Sequence, residues 1–373
     1  MSIRALHIAL CTDGVFPHAM GGMQRHSRLL AEHLAKLPGI RLTVIHPHRE
    51  PVFDPALGIE EQSVASMDPQ RMYLAELWRY SGRVAAALDE IKPDAVLSQG
   101  FSVWKGMRRF TSKLIVMPHG LEMFQGLTVK DRLIGLPFRC LVRHVARRSD
   151  RVVSLGGKLT PLLEGVVRGN AARVVVVPNA VQLPEQAPPY PADGEALSLL
   201  FVGRFAFNKG IDVLLRVANE LLASRSAVRF ILAGDGPERA QMERDGLPSN
   251  VILAGKVDDP QLERLYADCH ALVLPTRFEG MPTVVLEAMA RARPVVVSDV
   301  GASAELVDGD NGWLVPPGDA AALRHAIDRL GACSFKEREA MGLAGRERVQ
   351  ERFTWPQVAL SIADLARDLV QRE

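Results

Sequence analysis

Short runs of β-branched and aliphatic residues recur along the chain, and each is followed by a stretch whose apolar residues fall at helical spacing. This alternation limits the fold more than any other feature, because it is the pattern of βαβ units arranged around parallel sheets. Six runs in the first half predict strands, at residues 6–10, 42–45, 95–97, 114–117, 152–155 and 174–177. Five more follow in the second half, at 199–202, 230–233, 251–253, 271–274 and 295–297. Most are apolar almost throughout, as strands covered on both faces must be.

Residues 182–197 open with QLPEQAPPYPADGEA, which is rich in proline and has no periodicity, so they read as a linker. The expected organisation is a first α/β domain over 1–181, that linker, a second α/β domain over 198–354, and a closing segment over 355–373. In the closing segment Val358, Ile362, Leu365 and Leu369 mark an amphipathic helix. With 373 residues the chain is long enough for two such domains. Two doubly wound, Rossmann-like domains facing each other would leave a cleft, and ligands of such sheets bind beyond the carboxyl ends of the strands. The turns from strand to helix are therefore where chemistry is expected.

Composition removes several alternatives. The four cysteines, Cys11, Cys140, Cys269 and Cys333, are far apart and form no CxxC pair, which argues against a zinc ribbon or a disulfide framework and fits a reducing cytosol. The apolar run at 5–10 is too short for an export signal, and no 18 consecutive residues are apolar. A cytoplasmic protein is expected, with any membrane contact peripheral. HExxH, GxSxG and GxxxxGK[ST] are all absent, and no metal site is expected.

Charge is unevenly distributed. Residues 1–180 carry 24 Lys and Arg against 15 Asp and Glu, whereas the remainder carries 21 against 28. Residues 101–151 alone hold 11 basic and 3 acidic residues. Such a half suits an anionic surface or substrate, and a solvated basic face without a partner would show the same balance. Residues 71–91, with Tyr73, Leu77, Trp78 and Tyr80 among Arg79 and Arg83, fit either an interfacial helix or a packed core helix.

The most informative segment is 275–294, PTRFEGMPTVVLEAMARARP, directly after a buried strand. Pro282 suits the first helical position, which leaves Glu279 and Gly280 in the preceding loop. Amides at Met281, Thr283 and Val284 would then be open to a phosphate, helped by the helix dipole. Gly280 lets a ligand approach the backbone, and Thr283 adds a hydroxyl donor. Glu279 and Glu287 stand eight residues apart in an otherwise apolar stretch, so each needs a polar partner. The diols of a nucleoside diphosphate sugar would satisfy both, although two surface acids would read alike. After the strand at 199–202 come Arg204 and Lys209, two cations at a strand end that can meet the same anion.

In the first half, Gly21 and Gly22 precede the first helix in CTDGVFPHAMGGMQRH and would allow close approach of a phosphate or sugar. The spacing is not that of GxGxxG, and a flexible loop accounts for it equally. His119 follows the strand at 114–117, in a position that would reach the floor of the cleft, and a structural histidine is the competing account. GDGPE at 234–238 reads as turn chemistry. Asp308-Gly309-Asp310 has the spacing of a metal-binding acid pair, but VDGDNGWLV around it predicts a hairpin turn.

Taken together, GGMQRH, GRFAFNKGID at 203–212, GDGPE and FEGMPTVVLEAMA resemble the retaining glycosyltransferases of the GT-B fold, specifically glycosyltransferase family 4. The likeness covers nearly the whole chain and is most specific from 203 to 319, where Glu279 and Glu287 match the family's E-x7-E spacing. It implies a catalytic group of Glu279, Arg204, Lys209 and His119, with Glu279 on donor-sugar hydroxyls and the two cations on the diphosphate. It implies that Glu287 holds the ribose, that Gly280, Met281 and Thr283 cap the distal phosphate, and that the Gly21-Gly22 loop closes over donor and acceptor. It also implies that residues 355–372 cross back onto the first domain.

The resemblance implies a metal-independent hexosyl transfer with retention, from a nucleotide diphosphate sugar, UDP before GDP, and without a cofactor. The acceptor would be a glycan or a lipid-linked glycan of the cell envelope or a polysaccharide. An anionic membrane is the expected peripheral contact of the basic half, and no nucleic-acid partner is expected. A nucleotide-sugar epimerase or glycan phosphorylase would use the same fold, as would a non-catalytic nucleotide-sugar sensor.

Overall fold

The computed structural model describes residues 4–126, 129–170, 173–192, 194 and 196–372. Two compact units divide the chain: Met1–Asn179 together with Trp355–Glu373, and Ala180–Thr354. Each is built on one parallel sheet.

The first unit contains β1 (Leu6–Cys11), β2 (Ile40–His46), β3 (Glu60–Ser63), β4 (Ala95–Gln99), β5 (Leu114–Met117), β6 (Arg151–Ser154) and β7 (Val174–Val176), arranged in the order β3-β2-β1-β4-β5-β6-β7. Every pairing in this sheet is parallel. Strands β1, β4 and β5 are buried along almost their whole length, which explains why their sequences lack polar alternation.

The second unit contains β8 (Leu197–Val202), β9 (Val228–Ala233), β10 (Val251–Gly255), β11 (Ala271–Leu274), β12 (Val295–Ser298) and β13 (Gly312–Val315), in the order β10-β9-β8-β11-β12-β13, again all parallel. Chain order reverses at β1/β4 in one sheet and at β8/β11 in the other. These are the switch points of doubly wound sheets, where the flanking loops diverge and leave room for a ligand.

The helix Trp355–Val370 belongs to the first unit. It buries Val358, Ala359, Ile362, Ala363, Ala366 and Leu369, an i, i+3, i+4 stripe, and it packs on the helix Gly22–Leu34. The helix Tyr73–Ile91 buries Leu77, Tyr80, Val84, Ala85 and Leu88 in the first core. It is the packed core helix of the two readings open for residues 71–91.

Two strands depart from the sequence reading. The edge strand β3 is polar, Glu-Glu-Gln-Ser, and carries no apolar signal. Its place is held by side chains, with Arg41 clamping Glu60 and with Glu61 accepting from His46 Nε2 and from the Val52 amide. The hairpin expected around residues 308–310 is overturned, because β13 runs parallel to β12, from Val295 opposite Gly312 to Ser298 opposite Val315. Asp308 instead closes a local turn by accepting from the Asp310 amide at 3.2 Å, and that turn follows the short helix Ser303–Leu306. Turn residues report that the chain bends there, but not which strand it joins next.

Among its described residues the proline-rich segment has no helix or strand before Leu197, yet it is packed into the second unit. Tyr190 is buried, and its hydroxyl donates to the His270 carbonyl at 2.8 Å. The fully buried Arg293 guanidinium donates to the carbonyls of Pro189, Tyr266 and Ala267, each at 2.8 Å, and lies 5.4 Å from the Tyr190 ring. A buried cation needs such a set of acceptors, and these backbone carbonyls supply them. Among the described residues no helix is long and apolar enough to cross a membrane.

Candidate functional site

In the second unit the loops after β8 and β11 start from adjacent strands at the switch point. The loop after β8 contains Arg204, exposed, and a single 3-10 turn, Phe207–Lys209, ended by Gly210 at φ 71°. A Cβ on Gly210 would stand 1.8 Å from the Pro275 carbonyl oxygen, so only glycine lets the two loops come this close. Polar contacts then fasten them together. The Asn208 carbonyl accepts from the Arg277 amide at 2.8 Å and from the buried Thr276 hydroxyl at 3.0 Å. Arg277 grips Asp212 with two bonds of 2.7 and 2.8 Å and lies 3.9 Å over the Phe207 ring.

This clamp brings Lys209 and Glu279 together: Nζ donates to Oε1 at 2.5 Å, with the side chains 25% and 13% exposed. The expectation that Glu279 needs a polar partner is therefore met in part within the protein. Arg204 makes no hydrogen bond or ion pair among the described residues. Behind Glu279, the Gly280 carbonyl accepts from the Ala302 amide at 2.8 Å. Gly301, at φ 55°, packs so tightly there that a Cβ would lie 2.3 Å from the Glu279 and Gly280 oxygens.

The helix Thr283–Ala290 follows, with Pro282 as its cap residue, one position earlier than the first helical place expected for it. No side chain caps this end. The Pro282 carbonyl accepts from the Val285 and Leu286 amides, so those of Thr283 and Val284 are the open donors of the first turn among the described residues. Thr283 is exposed, whereas the Met281 side chain is buried, so any ligand contact of Met281 would run through its backbone.

Glu287 lies one turn further on, and here the sequence missed a partner. The hydroxyl of the buried Tyr266 donates to Glu287 Oε2 at 2.8 Å. Burial, and then the neighbouring carboxylate, raise the Tyr266 phenol well above its ordinary pKa, so it remains a donor. Arg291 donates to the Glu287 carbonyl at 2.8 Å, stacks 5.0 Å from the Tyr266 ring and pairs with Glu263. Tyr266 is the one buried residue of the helix Asp259–Asp268, and that placement is the signal that could have singled it out.

The remaining candidates form a separate group in the first unit. Gly21 caps the helix Gly22–Leu34, of which Gly22 is the first residue, and both glycines are exposed. Nothing lies within 4 Å of where a Gly22 Cβ would stand. His119 follows β5 in the left-handed region at φ 59°, and its Nε2 faces the Gln99 amide oxygen at the carboxyl end of β4. The ring meets His26 edge-on at 4.7 Å, and His26 meets Trp355 at 5.1 Å. Burial lowers the His119 pKa to about 4, so near neutral pH the imidazole is uncharged and its Nε2–H donates to Gln99.

Two family models match the chain: Glycosyltransferase Family 4 over residues 20–184, and Glycosyl transferases group 1 over residues 196–332. The chain resembles family 4 glycosyltransferases over its first half and group 1 glycosyltransferases over its second. A stretch of 182 residues is 30% identical to an uncharacterized glycosyltransferase of Methanocaldococcus jannaschii, covering 47% of this chain and 46% of that protein. The chain spans 36 to 55% of the length of the first of the curated relatives it matches. Among solved structures, sucrose-phosphate synthase from Thermosynechococcus elongatus superposes with a TM-score of 0.79 at 22% identity, over 99% of this chain and 100% of that one. Anabaena HepE in complex with UDP-glucose gives 0.72 at 18% identity, over 97% and 100%. These likenesses identify the GT-B fold.

Proposed function

We propose that this protein transfers a hexosyl group from a nucleoside diphosphate sugar to a hydroxyl of a glycan or lipid-linked acceptor, in cell-envelope or polysaccharide synthesis. The observation that carries the reading is the Lys209–Glu279 pair, set directly before a helix with open first-turn amides. A diphosphate needs donors and positive charge, and a sugar needs a carboxylate for its hydroxyls. This site supplies both within one pair of loops.

As the bond between the anomeric carbon and the phosphate oxygen breaks, the electron pair leaves with the diphosphate. Positive charge then develops on the sugar. Arg204, Lys209 and the Thr283 and Val284 amides stabilise the leaving group, so the departure requires no metal ion. Glu279 holds sugar hydroxyls beside the reacting carbon, while Glu287, oriented by Tyr266, takes the ribose diol. Gly280 and the Met281 backbone complete the phosphate cradle.

For the first unit, the reading gives His119 the sugar and the Gly21-Gly22 turn the donor and acceptor. The acceptor hydroxyl attacks the face from which the diphosphate leaves, its proton passes to a phosphate oxygen, and configuration is retained. A UDP donor is favoured over GDP, with support from the similarly folded HepE in complex with UDP-glucose.

Calorimetry with UDP and GDP tests the donor, and tighter UDP binding is the expected result. Binding of neither nucleotide would overturn the reading. Incubation with UDP-sugars but no acceptor separates the chemistry, because a transferase gives at most slow hydrolysis whereas an epimerase changes the sugar.

A further inference from the structure

Strands β1 and β2 are adjacent and parallel, so the chain leaves both at the same edge of the first sheet. The loop from Thr12 to Gly21 then enters the helix Gly22–Leu34, and its last residue is half of the glycine turn. Several bonds order this loop from within or from that helix. The Thr12 hydroxyl donates to the Gly14 carbonyl at 2.8 Å, the Ala19 amide to the Val15 carbonyl at 3.0 Å and the Phe16 amide to the Gln24 carbonyl at 3.3 Å. Gln24 Nε2 donates to Asp13 at 3.1 Å, and Arg28 to the Phe16 carbonyl at 3.2 Å. Such bonds shape loop and helix as one piece, but they do not fix that piece on the sheet.

The Val15 amide makes a bond of another kind. It donates at 2.8 Å to Nε2 of His48, two residues beyond the end of β2. His48 is itself anchored on the sheet edge. Its carbonyl accepts from the Ser63 hydroxyl at 2.6 Å, and its amide donates to His46 Nδ1 at 3.2 Å. His46 Nε2 donates in turn to Glu61 of β3 at 2.8 Å. Val15 is wholly buried, so its amide has no water to turn to if the imidazole stops accepting.

A ring nitrogen accepts only while its lone pair is free, so neutral His48 carries its proton on Nδ1 and a second proton must go to Nε2. The imidazolium would then set an N–H against the Val15 N–H, two donors with no acceptor. The titratable groups around His48 are His46 from β2, Glu61 from β3 and His18 from the loop itself, with the His46 and His18 rings 5.4 and 5.2 Å away. Burial lowers the His48 pKa from its ordinary value, His46 and His18 lower it further, and Glu61 opposes them.

We infer that His48 is a positioning residue for the glycine turn: neutral, it latches the loop from Thr12 to Gly21 onto the sheet, and protonated at Nε2 it lets the loop go. The proton comes from solvent, the hydrogen bond from Val15 breaks, and no covalent bond changes. What the latch serves rests on the reading of Gly21 and Gly22 as the turn that meets donor and acceptor.

The test is hydrogen exchange of the full chain at pH 7.5 and pH 5.0, without nucleotide, read at single amides by mass spectrometry and corrected for the intrinsic pH dependence of exchange. A freed imidazole titrates near its ordinary 6.5 and a latched one lower, so acid favours the open loop. Protection of the Val15 and Ala19 amides should fall at least about fivefold between the two pH values. That of the Leu6 amide, bound to the Gly39 carbonyl at the other end of β1, should hold. His48→Gln places a non-titrating amide oxygen where Nε2 stands, and it should remove the pH difference while keeping the protection seen at pH 7.5. His48→Leu should lack that protection at both pH values. The inference is overturned by equal protection of Val15 at the two pH values in the native chain, by a fall that Leu6 shares in full, by a pH difference that persists in His48→Gln, or by an Ala19 amide that stays protected once Val15 is released. Because no nucleotide is present, these outcomes stand apart from whether the glycine turn meets a sugar, which the transfer rate of Gly22→Ala decides.

Discussion

Lys209 Nζ and Glu279 Oε1 meet at 2.5 Å although 70 residues separate them, because the turn after β8 is clamped to the loop after β11. Both side chains are largely but not fully buried, so neither charge is free of solvent screening. Lys209→Ala and Glu279→Ala should each lower transfer by about 100-fold or more, and the double variant should be far less active-site-impaired than the product of the two. In chemical denaturation the coupling between the two positions should be about 1 kcal/mol, typical of a partly screened pair. Full turnover by Glu279→Ala would remove the proposed site.

The Tyr266 hydroxyl holds Glu287 from one side, at 2.8 Å from Oε2, and lies 3.3 Å from the Val284 carbonyl. Tyr266→Phe keeps the buried ring and deletes only the donor. The loss of one hydrogen bond to a charged group should weaken UDP binding about tenfold and lower stability by about 1–2 kcal/mol. Calorimetry and urea denaturation measure the two effects separately. Unchanged UDP affinity alongside lower stability would make Tyr266 a packing residue only.

Much of the fold could be read along the chain because buried parallel strands are continuous apolar runs. Strands β5 and β11 coincide with the runs at 114–117 and 271–274. Strand β3 could not be read this way, since its four polar residues are held by Arg41, His46 and backbone amides from elsewhere. The direction of β13 was hidden for a related reason: the turn at Asp308 is satisfied locally and says nothing of the partner strand. At the site, the residue types were legible and the pairings were not. Glu279, Glu287 and Lys209 stand out as charges in apolar surroundings, but their mutual contacts arise from loops brought together across the sheet. Tyr266 looks like one more core aromatic until its hydroxyl is placed. Arg277 and Thr276, which fix the Asn208 carbonyl, have no local pattern that distinguishes them.

Gly210 and Gly22 make opposite predictions. Gly210→Ala places a methyl against the Pro275 carbonyl at a positive φ, and neither backbone segment can move without breaking the clamp. It should destabilise the second unit by about 3 kcal/mol and lower transfer as well. Gly22→Ala meets open space at the first helical position and should raise stability by about 0.5 kcal/mol. Its transfer rate should still fall about tenfold, because the proposed close approach of donor and acceptor needs the missing Cβ. Thermal melts and rates measured together would expose a Gly22 turn with no such role, through a variant that is more stable and fully active.

The acid response of the first unit should depend on His119. Its pKa falls from the ordinary 6.5 to about 4 on folding because burial disfavours the imidazolium. Between those values the unfolded chain binds more protons than the native one, so stability rises with pH across that window. The contribution is complete above about 6.5 and is lost as pH falls towards 4. His26, buried beside His119 and lowered first by burial and then by His119 itself, adds to the slope in the same direction. His119→Asn keeps a polar side chain near Gln99 without a titrating ring, and it should flatten the dependence between pH 6.5 and 4.5. Urea midpoints of the two proteins across that range give the comparison. Equal slopes would mean that His119 is no less basic in the native protein than in the unfolded chain, and the neutral donor to Gln99 would have to be abandoned.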